Sequence, residues 1–313
     1  MDGRPVIRFV HEGKAAYPDV TAFRSYFQKD YLTLENSPEE VRAASDLDRA
    51  ICWHIMGFYP RKLGSAISIH DYRSLSVGRL RRTKDLLKRW LNADPDLRLF
   101  QNDAMRRALG FPHDGRTFYL PMGVPQLFID QRMSTPIKST DFVYIGSLLP
   151  ERRCELMLDS FVARFGNRRR IDLYGPPNPD LERRYRTSNT ITFHGLIAQD
   201  RLPAILNAAR VGVCYFPLHY PHLLQTPTKL MEYGALGMRI LANEHPQSRL
   251  TAKTYGLNCE WGSTDDLFAH VPEDLMWPDN MGVDPGLMAW PAVIGASGVE
   301  PALQLAAERV FSR

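Results

Sequence analysis

The chain has 313 residues, of which 44% are hydrophobic and 24% charged, with a formal net charge of +4. That length accommodates two α/β domains, the composition is that of an ordinary folded protein, and the charge is too mild to argue for a nucleic-acid partner. No apolar run approaches the roughly 20 residues of a spanning helix and no secretory-leader pattern opens the sequence. Cys52, Cys154, Cys214 and Cys259 are scattered without a C-x-x-C pair, so reduced core cysteines in a cytoplasmic protein are expected in place of a disulfide or zinc framework.

The first half reads as a series of apolar strands: Ile7–Val10, Arg49–His54, Ala66–His70, Arg98–Phe100 and Thr117–Leu120. Helix-prone stretches lie between them, such as Pro38–Ala44 and Asp103–Leu109. Alternating strands and helices predict a parallel sheet covered on both faces. Asp46-Leu47-Asp48 has the spelling of a metal-binding Asp-x-Asp, but its place before a strand makes it a helix terminus. Arg79, Arg81, Arg82, Lys84, Lys88 and Arg89 crowd one stretch with Leu80, Leu86, Leu87, Trp90 and Leu91. A basic amphipathic helix of this kind can lie on an anionic membrane surface; the alternative is a solvated helix packed through its leucines.

A loop rich in Pro, Met, Ser and Thr, from Pro121 to Thr140, reads as an interdomain linker. A second strand series follows: Phe142–Gly146, Arg170–Gly175, Ile191–Gly195, Val211–Phe216 and Arg239–Ala242. Asp200 reads as the cap of a helix with Pro203 in its first turn, Arg168-Arg169-Arg170 as a solvated helix end, and Pro301–Val310 as a closing helix. Two parallel sheets bind ligands at the carboxyl ends of their strands. Those ends carry His11-Glu12-Gly13, His54, His70-Asp71, Gly146-Ser147, Gly175, His194-Gly195 and Pro217, a polar rim on apolar strands. His219-x-x-His222 lacks a third metal ligand and reads as a loop pair.

The densest signal is Thr226–Gly237 followed by Ile240-Leu241-Ala242. Thr226 suits an N-cap, Pro227 the first helical position and Gly237 a left-handed stop. Glu232 sits inside this helix among Leu230, Met231, Tyr233 and Leu236, so a polar partner is expected for it. It lies roughly 9 Å along the axis from the anion-favouring helix start. One ligand could place a phosphate at the start and sugar hydroxyls at Glu232. The other reading of the same residues is a capped core helix with a salt-bridged glutamate.

Over about 142–262 the order and spacing of these motifs resemble the donor-binding domain of GT-B glycosyltransferases, in particular the retaining, sugar-nucleotide-dependent branch. The residues that carry the resemblance are Gly146 with Arg152 or Arg153, Gly175, Phe193-His194-Gly195, Phe216-Pro217 and Pro227-Thr228-Lys229-Leu230-Met231-Glu232. It implies an α/β architecture of two Rossmann-like parallel-sheet domains, at 1–125 and 126–285, with a helix over 286–313 crossing back near Trp290. It also implies transfer of a sugar, of hexosyltransferase type, from a UDP- or GDP-sugar to a glycan or lipid-linked acceptor, without a metal cofactor.

By the same resemblance Glu232 would hold the ribose hydroxyls, and N–H groups near Thr226 and Thr228, with Lys229, would meet the phosphates and sugar. Arg152 or Arg153 would neutralise the diphosphate, and the loop at His194-Gly195-Leu196 would receive the base. Gly13 would let backbone approach the diphosphate, and His70, followed by Asp71, would face the donor sugar. The branch often carries Glu-x7-Glu, whereas Leu224 stands here at the first position with Gln225 beside it. An inverting reaction would need a base, for which Glu12 and Asp19 are the candidates; a retaining one strictly needs none. The chemistry is expected in the cytoplasm or at the inner face of the membrane, in surface polysaccharide or glycolipid synthesis. A sugar-nucleotide epimerase of the same fold and a non-catalytic nucleotide-sugar-binding protein are the alternatives. A dinucleotide-dependent oxidoreductase is disfavoured because His11-Glu12-Gly13-Lys14-Ala15-Ala16 supplies no G-x-G-x-x-G.

Overall fold

The structure, a computed structural model, describes residues 4–13, 17–55, 58–76, 78 and 80–311. Arg79 of the basic stretch and Lys14-Ala15-Ala16 lie outside the described residues. The chain divides into two compact units, one of residues 1–123 with 290–313 and the other of residues 124–289.

The first unit holds strands β1 (Val6–Val10), β2 (Leu32–Asn36), β3 (Ala50–Ile55), β4 (Ile67–Tyr72), β5 (Leu97–Phe100) and β6 (Thr117–Tyr119). Helices α1 (Pro18–Phe27), α2 (Pro38–Ala43), α3 (Arg81–Leu91) and α4 (Asp103–Ala108) lie between them. The sheet is parallel, in the order β2-β1-β3-β4-β5-β6. Its central strands β3 and β4 are buried along their whole length, which suits their apolar sequence to a sheet covered on both faces.

The second unit holds β7 (Thr140–Ile145), β8 (Ile171–Tyr174), β9 (Ile191–Phe193), β10 (Ala209–Cys214), β11 (Arg239–Asn243) and β12 (Glu260–Gly262). Helices α5 (Gln126–Asp130), α6 (Cys154–Phe165), α7 (Pro179–Tyr185), α8 (Leu202–Asn207), α9 (Thr228–Ala235) and α10 (Pro246–Tyr255) accompany them. This sheet is also parallel, in the order β12-β11-β10-β7-β8-β9. Phe142, Phe161, Phe165 and Phe268 interlock edge to face at the centre of its core. The chain then returns to the first unit through α11 (Trp290–Ala296) and α12 (Val299–Phe311), whose Trp290, Ile294, Val299 and Leu303 are buried in that unit's core.

Arg73 ties this return. Its guanidinium lies 4.8 Å from the Phe23 ring and 5.6 Å from the Trp290 ring. Its Nε pairs with both Asp71 and Asp19 at 3.0 Å, and its Nη2 donates to the Leu120 carbonyl at 3.2 Å. Gly123 is fixed by the same packing, because a Cβ there would stand 2.6 Å from the Trp290 ring.

Several expectations are corrected. The strands β2 and β12 had no counterpart in the sequence reading; both are edge strands, short or polar, and lack the apolar run that marks a central strand. The stretch Pro121–Thr140 is not simply a linker, since α5 falls inside it with Phe128 fully buried in the second unit. Asp200 does not cap α8; a 3-10 turn over Gln199–Arg201 precedes the helix and Arg201 takes the N-cap. Pro227, not Thr226, is the N-cap of α9, so the helix opens at Thr228.

Candidate functional site

In the second sheet the chain runs β7-β8-β9 to one side and β10-β11-β12 to the other, so β7 and β10 are the neighbours at which the winding reverses. Loops diverge at such a point and leave a crevice at the carboxyl ends of the strands. Here the crevice is a cavity of about 310 Å³, within the range of small-molecule sites.

Its base is backbone. Gly146 and Gly175, each the residue after a strand, approach so closely that a Cβ on Gly175 would fall 1.8 Å from the Gly146 carbonyl oxygen. Gly146 adopts φ +128°, and its N–H donates to the Tyr174 carbonyl at 2.9 Å. The Gly175 N–H donates to the Gly195 carbonyl, also at 2.9 Å, which fixes the loop after β9 beside the other two.

Two cations line the cavity. Lys229, in the first turn of α9, is buried, with its ammonium 3.8 Å from the Tyr144 ring centroid and 5.0 Å from that of Phe216. Burial pushes its pKa down to about 8. Arg152 also lies over the Phe216 ring at 5.0 Å, and its Nη1 is buried without a hydrogen-bond partner. A cation held by ring faces and lacking an acceptor is poised for an anion.

Thr228 and Glu232 complete the lining from α9. The helix has no side-chain cap, so the N–H groups of Thr228 and Lys229 stand open to a ligand, while that of Leu230 donates to the Pro227 carbonyl at 3.1 Å. Thr228 and Glu232 are four residues apart, on one face and about 6 Å apart along the axis. The expected partner of Glu232 takes a different form: among the described residues no hydrogen bond to its carboxylate is found. Desolvation pushes its pKa up to about 7, against the opposing pull of Lys229. An under-satisfied carboxyl beside a pocket is ready to accept from hydroxyl groups.

The remaining expected residues of this unit are dispersed. The structure separates Arg152 from Arg153: the latter is exposed, adopts φ 51° at the start of α6, and lines a different depression with His219 and Asp265. Thr226 precedes the helix and does not line the cavity. His194 stacks on Tyr174 at 4.4 Å and contacts Asp172 at 3.0 Å, while Leu196 and Ile197 after it reach the cavity. His219 and His222 lie with ring centroids 5.3 Å apart, and among the described residues no group of three or more His, Cys, Asp or Glu is placed to hold a metal.

In the first unit, Glu12 and Gly13 are exposed after β1, and Gly13 adopts φ +68° with its N–H donating to His11 Nδ1 at 3.1 Å. His70 and Asp71 do not sit at a strand end, because β4 continues through Tyr72. His70 is enclosed by His54 and Tyr59, with ring centroids at 5.3 and 5.8 Å, and burial lowers its pKa to about 3. Asp71 accepts from Trp53 Nε1 at 3.1 Å and from Arg73 Nε at 3.0 Å. Burial nonetheless pushes it up to about 6 against the Arg73 charge.

The ring platform of Tyr144 and Phe216 was missed as a cation cradle. Strand alternation carried a signal for half of it, since Tyr144 stands two residues before Gly146 and so shares its face. Pro176, Ile197 and Leu202 were missed as well, although reading a few residues beyond each strand-end glycine would have reached the first two.

Solved structures decide the architecture. AviGT4, a glycosyltransferase involved in avilamycin A biosynthesis, matches with a TM-score of 0.64 at 15% identity, over 97% of this chain and 98% of its own. The chain has the GT-B fold. HepE of Anabaena, solved with UDP and glucose, shares the fold at a TM-score of 0.63 and 12% identity, over 99% of this chain and 100% of its own. The sucrose-phosphate synthase of Thermosynechococcus elongatus follows at 0.58 and 14%, over 99% and 98%. No family model and no curated protein matches the sequence. The two sheets are therefore the two Rossmann-like halves of a GT-B protein, and the cavity lies in the C-terminal half.

Proposed function

We propose that the chain is a glycosyltransferase that takes a sugar from a UDP- or GDP-sugar and passes it, with retention and without a metal, to a glycan or lipid-linked acceptor. The observation that carries this reading is the cavity at the reversal of the second sheet, where two aromatic-cradled cations, an uncapped helix start and an under-satisfied carboxyl converge. The two cations and the N–H groups of Thr228 and Lys229 at the start of α9 match a diphosphate. Glu232, one helical turn away, matches ribose hydroxyls, and Leu196 and Ile197 offer an apolar wall for a base.

In glycosyl transfer negative charge accumulates on the departing diphosphate, so groups fixed in advance around it lower the barrier. Lys229 and Arg152 supply that field from this chain's own side chains. The diphosphate would in turn draw the Lys229 pKa back upward, because an anion favours the charged ammonium. His70 is neutral and enclosed, and Asp71 is engaged by Arg73 and Trp53, which supports a route that needs no acceptor base from either. Glu12, exposed after β1, is the group through which an inverting reaction would run.

HepE, solved with UDP and glucose, supports a UDP-sugar donor. An epimerase or a non-catalytic binding protein would use the same cavity, and Leu224, where a sugar-contacting carboxylate would otherwise stand, favours keeping them in the test. The test is calorimetric titration with UDP, GDP, ADP, dTDP and CMP in EDTA, on the wild type and Glu232→Ala, followed by product analysis with the sugar nucleotide that binds. Binding of one nucleotide, weakened roughly ten- to a hundredfold in the variant, is expected. Failure of all five to bind would overturn the reading, and an epimerised donor without transfer would replace it.

A further inference from the structure

The helix α3 is turned the wrong way round for a helix of a globular surface. Such helices bury an apolar stripe and expose a polar face. In α3 the one fully buried side chain is a carboxylate, Asp85. Both of its oxygens accept from the Ser76 backbone N–H, at 3.0 and 3.1 Å, and Lys88 Nζ lies 3.1 Å away. Leu87, Trp90 and Leu91 are 45%, 73% and 49% exposed, as is Leu80 just before the helix at 69%. At about 100° per residue, Thr83, Leu87, Trp90 and Leu91 fall on one arc of roughly 100°, centred opposite Asp85. The apolar ridge therefore points directly away from the protein.

Charge frames the ridge on both sides. Arg81 and Lys84 flank one edge and Arg82 and Arg89 the other, while Lys88 turns its ammonium inward to Asp85, the single acidic residue of the helix. The ridge also continues into a neighbouring loop. The Tyr59 N–H donates to Asn92 Oδ1 at 2.9 Å and the Ala93 N–H to the Tyr59 carbonyl at 2.8 Å, which fastens the segment after β3 to the end of α3. That segment exposes Phe58, at 50%, together with Arg61 and Lys62.

We propose that α3 and the adjoining Phe58–Lys62 loop form a docking surface for an anionic lipid bilayer. The ridge would enter the headgroup boundary, with Trp90 at the interface and the flanking lysines and arginines meeting lipid phosphates. The complementarity selects this occupant: an apolar strip bordered on both edges by long cationic side chains, with no acidic side chain facing outward from the helix, fits a negatively charged lipid surface. A second copy of this chain would instead set cations against cations. Among the described residues no helix is long and apolar enough to cross a membrane, so the contact is peripheral. The inference stands apart from the nucleotide cavity, and its test needs no turnover.

The experiment is co-sedimentation of the full chain with vesicles of phosphatidylcholine alone and of phosphatidylcholine with phosphatidylglycerol, at low and high salt, with Trp90 fluorescence read in parallel. Leu87→Glu/Trp90→Glu changes only exposed positions, and Lys84→Ser/Arg89→Ser removes two flanking charges. Binding to the anionic vesicles with a blue shift that is absent in Trp90→Phe is expected. The loss should be roughly a hundredfold in the first double variant and on the order of tenfold in the second, with UDP or GDP binding unchanged. Equal partitioning of the wild type and the first double variant would overturn the proposal. Equal binding to uncharged vesicles would overturn it too, as would concentration-dependent dimerisation in sedimentation velocity that the first double variant abolishes.

Discussion

Replacing Glu232 by glutamine should stabilise the empty protein at pH 8 while weakening its hold on nucleotide. The carboxyl titrates near 7 in the folded chain, raised by desolvation from an ordinary value of 4.5. Between those two values the folded state keeps a proton that the unfolded state has released. Stability therefore falls as the pH rises through this window and stays reduced above it. At about 1.4 kcal/mol per pH unit of displacement, the ionised side chain costs roughly 3 kcal/mol. That cost is already net of the attraction to Lys229, and the glutamine amide keeps a smaller desolvation cost of its own, so a net gain of about 1–2 kcal/mol is expected at pH 8. At pH 5 the carboxyl is protonated in the folded chain, and the gain should shrink to about a quarter of that. Urea unfolding at the two pH values, beside calorimetry with the preferred nucleotide at pH 8, measures both sides. A variant less stable than wild type at pH 8, or a gain equal at both pH values, would refute the argument that desolvation sets the state of this carboxyl.

Two further substitutions probe the same cavity. Arg152→Ala should lower nucleoside-diphosphate affinity by about 1–3 kcal/mol, whereas Arg153→Ala, outside the cavity, should leave it within a few tenths; calorimetry that ranks them in reverse would reassign the diphosphate partner. Gly175→Ala places a Cβ within 1.8 Å of the Gly146 oxygen, so the backbone must shift, at about 3 kcal/mol or more in urea unfolding. An unchanged midpoint would show that these two backbones do not meet as described.

The sequence reading was strongest where burial is symmetric. The central strands carry near-continuous apolar runs because helices cover both sheet faces, and each was legible, as were the edges β6 and β9; the edges β2 and β12, polar or short and without an apolar run, were not. Within the cavity, Gly146, Gly175, Arg152, Lys229 and Glu232 were legible through the order of glycine ends, basic residue and acidic helix. Which of two adjacent arginines faces the cavity was not, because a left-handed residue at Arg153 turns it outward. His70 and Asp71 looked like rim residues because polar side chains usually end a buried strand. Here the partners of Asp71 Oδ2 come from Trp53 and Arg73, whose proximity only the sheet establishes, while Oδ1 is buried without one. In α3 an amphipathic pattern alone does not say which face is buried, and the apolar face is the outer one.

The knot of Arg73, Asp71, Asp19 and Trp290 has a consequence for how the chain assembles as it is synthesised. The unit of residues 124–289 is one uninterrupted stretch and can close as soon as it has left the ribosome. The unit that begins the chain cannot: Phe23 and Arg73 wait for a tryptophan made more than half a chain later. The sheet of the first unit thus keeps part of its core uncovered until the whole second unit has been made, and residues 290–303 then cover it.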